Sequence, residues 1–179
     1  MIVNRIVFGF AAFSVFASCT PIEVTTPPVM VTPRVASSAV GIDVYARDRA
    51  RGNPVPSFRG QEIVSIRASG ASSDGSFGEV SGVPCVVDAG VYSASVTTPA
   101  NIIVPDYGSS SPAIFVRCVT GEKSGSATVS AYNATDQQRR SSAYGTGILG
   151  AIVIGAVAAS QRDDSVDDFK YPVIAIQLK

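Results

Sequence analysis

The sequence predicts a mainly β fold, a small antiparallel β-sandwich with a glycine-rich apolar helix or hairpin near its C-terminus. Three observations predict it. From residue 39 onward, short β-branched and apolar runs recur between clusters of Gly, Pro, Asn and Ser, the spacing of strands in a two-sheet domain. Residues 124–132 alternate, with Ala127, Val129 and Ala131 on one side and Ser126, Thr128 and Ser130 on the other, as a half-buried strand requires. Cys85 and Cys118 both fall within such runs.

The expected strands, in order, are 40–46, 62–68, 84–88, 91–97, 101–104, 113–120, 125–132 and, last, 171–178. The run at 62–68 holds Ile63, Val64 and Ile66, apolar β-branched residues that suit a pleated surface. Residues 70–78 are rich in Ser and Gly around Asp74. Without the lysine of a phosphate-binding loop they read as a hairpin loop.

The chain divides into three parts. Residues 1–18 have the form of a signal peptide, with Arg5 ahead of an apolar run at 6–16 and small residues at Ala17 and Ser18. Eleven apolar residues rise about 16 Å as a helix, short of a hydrocarbon core of roughly 30 Å. Phe16-Ala17-Ser18-Cys19 resembles the bacterial lipobox, with Phe in place of the usual Leu. That resemblance implies diacylglycerol on the Cys19 thiol, cleavage before it and acylation of the new amino end. Thr20, where Asp would retain a lipoprotein at the inner membrane, implies the outer membrane by the enteric sorting rule. Residues 19–38, with Pro21, Pro27, Pro28 and Pro33, read as an extended tether. Residues 39–179 form the β-rich domain.

Composition narrows the function classes. Lys+Arg and Asp+Glu both number 14, so no field is built to attract nucleic acid. Histidine is absent, which removes the commonest general base and metal ligand together. With Cys19 assigned to lipid, Cys85 and Cys118 remain as an even pair suited to an oxidising compartment. A disulfide closing that loop stabilises by about 3–4 kcal/mol. A catalytic thiol lacks a histidine to activate it.

Residues 145–159 form a glycine-rich apolar stretch. As a helix it would rise about 22 Å, too short to span. Gly147, Ala151 and Gly155 sit at small-x-x-x-small spacing, with Gly150 between them, a face through which helices or a bilayer approach closely. Packing on the domain's own sheet or on a second copy is the expectation, membrane contact the alternative. Asp163, Asp164, Asp167 and Asp168 lack the alternating ligands and central glycine of a calcium loop and read as a solvated turn. Arg47, Arg49 and Arg51 read as an exposed edge that could meet anionic headgroups or glycan.

Gly82-Val83-Pro84-Cys85, then 92–99 ending Thr-Thr-Pro, Cys118, Gly125-Ser126-Ala127-Thr128-Val129, the glycine-rich stretch and Tyr171-Pro172-Val173-Ile174-Ala175-Ile176-Gln177-Leu178 follow one another in order. This order resembles a family of small Gram-negative envelope lipoproteins of unknown function. The resemblance covers residues 81–178 and implies the lipid anchor and the Cys85–Cys118 bridge. It brings no active site, cofactor or metal. The expected role is structural or accessory, through tethering and contact with envelope proteins or a second copy, without catalysis. A ligand-binding module for glycan or lipid is the alternative, and self-assembly through Gly147, Gly150, Ala151 and Gly155 the second.

Overall fold

The computed structural model of the chain describes residues 21–71, 75–143 and 162–179. Twelve strands make two five-stranded sheets and one short ribbon among the described residues. The first sheet contains β1 (Val29–Met30), β7 (Ala100–Asp106), β3 (Gly60–Ala71) and β12 (Ile174–Gln177), in that order, with β4 (Phe77–Val80) also paired to β3. The second contains β2 (Thr32–Pro33), β6 (Tyr92–Thr97), β5 (Pro84–Asp88), β8 (Ile114–Thr120) and β9 (Lys123–Val129).

Alternation places the core between them. Val64, Ile66 and Ala68 of β3, Ile102 and Val104 of β7, and Ile174 and Ile176 of β12 face Cys85 and Val87 of β5 and Ile114, Val116 and Cys118 of β8. All are buried. Every second residue along each strand points the same way, so one register seals the whole face. The alternation read at 124–132 holds: Ala127 and Val129 pack against the core, while Ser126 and Thr128 are exposed.

The mainly β, sandwich-like architecture stands, but the expectation of a purely antiparallel sandwich does not. β1 runs parallel to β7, and β12 parallel to β3. Both reach the sheet through long connections, the only route by which parallel neighbours arise. The second sheet is antiparallel throughout.

The two sheets are joined at both margins. At one, residues 29–33 pair first with β7 and then with β6, and Val31 between them is buried. At the other, Ser124 and Lys179 exchange two backbone hydrogen bonds at 3.0 Å. A Cβ on Gly125 would collide there with the Gln177 carbonyl, so only glycine lets β9 meet β12 this closely.

Three sequence expectations are corrected. Of the expected tether over 19–38, the described residues 21–38 are not free, because Ile22 is hydrogen-bonded to Glu79 and Arg67 and residues 29–33 are stranded into both sheets. Proline at 33 is tolerated because β2 is an edge strand. Residues 40–46 are not a strand. Val40 bridges Asp43 in a turn, and α1 (Ala46–Ala50) follows. The apolar pattern there reflects Ile42 and Val44 inserting into the core while Val40 stays exposed. Residues 70–78 are not all loop: Gly70 and Ala71 belong to β3, and β4 begins at Phe77.

After β9, β10 (Tyr132–Asn133) pairs with β11 (Phe169–Lys170). α2 (Ala134–Ala143) starts on Asn133, whose Oδ1 accepts the Asp136 N–H at 2.7 Å, an ordinary N-cap. The glycine-rich stretch with Gly147, Gly150, Ala151 and Gly155 lies outside the described residues, as does Cys19. Among the described residues no helix is long and apolar enough to cross a membrane.

Candidate functional site

Cys85 and Cys118 lie directly opposite each other on β5 and β8 and are joined by a disulfide, with Cα atoms 4.1 Å apart. Both face inward and are buried. The bridge therefore ties the middle of the second sheet from its core side.

The outer face of that sheet is less ordinary. Val86 is 57% exposed, and Phe115 and Val119 are each 42% exposed. They flank Arg117, which is the register partner of Val86. β8 is thus apolar on both faces. A one-sided antiparallel sheet normally alternates apolar with polar, and this outer face departs from that pattern. Beside it a groove of about 740 Å³ runs beneath the N-terminal segment, lined by Thr26, Val29, Pro84, Val86, Thr97 and Val119 among others. Arg117 is its only charged lining residue and makes no ion pair among the described residues. Such walls suit an apolar chain, with the guanidinium available to an anionic group.

The polar clusters elsewhere are paired within themselves, although Arg49 Nε and Asp136 Oδ1 are buried without a hydrogen-bond partner among the described residues. Arg49 of α1 pairs with Asp43 at 2.8 Å, and Tyr107 donates to Asp43 Oδ1 at 3.1 Å while accepting the Val44 N–H at 2.8 Å. Burial alone would raise the Asp43 carboxyl. Hydrogen bonds from Arg49, the Tyr45 N–H and Tyr107 outweigh it and hold the carboxyl below its usual range. Of the three arginines expected on an exposed edge, Arg47 and Arg51 are exposed, Arg51 pairing with Asp48, while Arg49 is half-buried and committed to Asp43.

In the acidic run Asp163, Asp164 and Asp168 are exposed, as a solvated turn requires, and the correction falls on Asp167. Asp167 is buried, receives Asn133 Nδ2 at 2.7 Å and pairs with Arg139 at 2.9 Å. The Asn133 bond, with Arg139, keeps its carboxyl low despite burial. Asp163 caps Ser165, Asp164 pairs with Arg162, and Asp168 pairs with Lys170. This is a docking latch between α2 and the segment entering β11. Among the described residues no group of three acidic or thiol ligands could hold a metal.

Two buried tyrosines complete the interior. Tyr92 is fully buried, and burial pushes its hydroxyl far above the ordinary range. Tyr171 donates to the Pro112 carbonyl at 2.6 Å, and burial pushes it up to about 12. Both remain neutral phenols that brace the core.

Of the candidate site residues among the described residues, the structure joins Cys85 and Cys118 directly. Arg117 and its apolar neighbours went unremarked. The signal was present in Ile114-Phe115-Val116-Arg117-Cys118-Val119, where the run is apolar at both strand parities. Taken together, fold and face define a disulfide-bonded, sandwich-like β domain with an exposed apolar patch. No protein-family model, curated protein or solved structure matches the chain.

Proposed function

We propose that the chain is a lipid-anchored envelope protein, acylated on Cys19, that acts by tethering and contact rather than by catalysis. In this reading it belongs with the small Gram-negative envelope lipoproteins it resembles and faces the periplasm from the outer membrane. The observation that carries the reading is the lipobox-like Phe16-Ala17-Ser18-Cys19 set just ahead of a domain closed by a disulfide. A disulfide is the chemistry of an oxidising compartment, and two or three acyl chains anchor far more firmly than one. Labelled fatty acid should appear on the wild type and vanish in Cys19→Ala. Equal labelling of both proteins overturns the reading.

The second reading is a lipid-binding module, favoured by the groove beside Arg117. Apolar walls favour a lipid over a glycan. Cross-linked envelopes separate the two: captured protein neighbours support contact, and a co-purified lipid lost in Arg117→Glu supports binding. Self-assembly through Gly147, Gly150, Ala151 and Gly155 is a third arm of the same cross-linking experiment.

A further inference from the structure

Ile22 marks where the chain joins the fold. Its N–H donates to Glu79 Oε2 at 2.9 Å, and its carbonyl accepts from Arg67 Nη1 at 2.9 Å. Arg67 and Glu79 are themselves paired at 2.6 Å across β3 and β4. The N–H and C=O of one residue are thus both held by a side-chain pair rooted in the first sheet.

This clamp sets the reach of anything attached to Cys19. Ile22 is three residue steps from Cys19, and three fully extended steps span at most about 11 Å. A free segment over 20–38 would have allowed roughly 60 Å. β3, with twelve residues, is itself about 40 Å long at the strand rise. An anchor shorter than the domain by that margin does not let the domain swing freely above a bilayer.

The clamp also selects an end. From Ile22 the chain runs to β1, which lies parallel to β7 and therefore antiparallel to β3. It travels from the Arg67 level toward the Gly60 end of β3. Ile22 itself is therefore held on the β3–β4 hairpin side of β1. There Phe77 is 63% exposed and sits opposite Ala71. It lies two residues from Glu79, a separation of about 7 Å along a strand. Lys123 reaches the Ala71 carbonyl at 2.6 Å, so the β8–β9 turn shares this end. The opposite end carries Tyr132, Asn133 and the latch around Asp167.

We infer that the β3–β4 hairpin end is the membrane-facing end of the domain, with Ile22 held close to the headgroups and Phe77 seated in the lipid interface. The inference rests on acylation of Cys19. The partner is the bilayer surface, and the contact is apolar: Arg67 is already paired to Glu79, so it offers little free charge to anionic lipid. The outer face of the second sheet, with Val86, Phe115 and Val119, then stands free of the membrane for other contacts.

The chain contains no tryptophan, so a single substitution gives a single fluorophore. Full-length acylated Phe77→Trp and Tyr132→Trp are each reconstituted into phosphatidylcholine–phosphatidylglycerol vesicles carrying brominated acyl chains. Emission from Phe77→Trp should be quenched, and that from Tyr132→Trp should not. The quenching should persist at high salt. Adding Arg67→Ala to Phe77→Trp releases the clamp and should reduce quenching, while flotation with the vesicles and the far-ultraviolet circular dichroism stay unchanged. If acylated protein floats but Phe77→Trp is unquenched, or Tyr132→Trp is quenched as strongly, the orientation is wrong and the anchor stands. If mass spectrometry finds Cys19 unmodified and the protein does not float, the anchor and the orientation fall together.

Discussion

The two sheets solve the same packing problem by different means. The second is built from hairpins: β5 with β6 and β8 with β9 are chain neighbours, and the middle pair is joined by Cys85–Cys118. The first gathers strands from most of the chain, setting β1 beside β7 and β12 beside β3. It has no covalent tie. Its margins rest on backbone contact at Gly125 and Ser124, and on clamps such as Arg67–Glu79. Local pairing gives one sheet its register cheaply, whereas the other depends on long-range closure, whose entropic cost must be met before its contacts form.

The comparison can be broken first at the disulfide. Replacing Cys85 and Cys118 by alanine should cost about 4 kcal/mol, because the unfolded chain regains the closed loop's freedom. Urea denaturation of the double variant against the oxidised wild type measures it, and a loss below 1 kcal/mol (on the order of a single surface change) would mean the hairpins hold the sheet unaided.

The closing margin comes next. Gly125→Val forces a side chain into the Gln177 backbone and should cost about 3 kcal/mol. The amides of Ser124 and Lys179 should lose hydrogen-exchange protection ahead of β5 and β8. Uniform loss across both sheets would show that the margin is not a separate weak point.

A smaller effect is expected at Asp43. Its folded carboxyl titrates below the unfolded value, so the unfolded state binds more protons in that window. The stabilisation is present above the unfolded value, about pH 4, and is lost as pH falls through the lowered folded value. Asp43→Asn should cost about 2 kcal/mol at neutral pH and much less at pH 3. An identical deficit at both values, by thermal melting, would contradict the role given to the charge.

Glu62 has the opposite sign and the smallest effect. Burial raises its carboxyl, against a hydrogen bond from the Tyr171 N–H at 2.9 Å. The folded state therefore binds the extra proton, and stability falls as pH rises through the window between the unfolded and folded values. Glu62→Gln keeps an acceptor for Tyr171 and should gain roughly 0.5 kcal/mol at neutral pH. The gain should shrink below pH 4, which a melting series resolves.

How much was legible follows the same division. The strand at 84–88 coincides with β5, those at 91–97 and 113–120 are each within one residue of β6 and β8, and 101–104 lies within β7. These are hairpin strands or core strands with clear alternation. β1 and β2 were hidden by prolines that read as tether, since an edge strand of two residues has no periodicity to detect. β4 was hidden by Phe77-Gly78-Glu79-Val80, whose pairing with β3 comes from a long neighbour and not from its own propensity. The turn ahead of α1 reads as strand because Ile42 and Val44 mimic alternation across it. At the site, the cysteines were readable by count. Arg117 was not, because an exposed arginine on a strand gains meaning only from what lies beside it. The Asp43 and Asp167 clusters join residues whose proximity no spacing announces.

The placement of β12 has a consequence for biosynthesis. Its Ile174 pairs with Ile66, about a hundred residues earlier, and its end meets β9 through Lys179 and Ser124. A polypeptide emerging vectorially from a ribosome or a translocation pore exposes β3 long before that stave exists. Ile66 and Ala68 then have one vacant flank until β12 has been made. Closure of the first sheet is thereby timed to the synthesis of β12, so β3 waits about a hundred residues for its last neighbour.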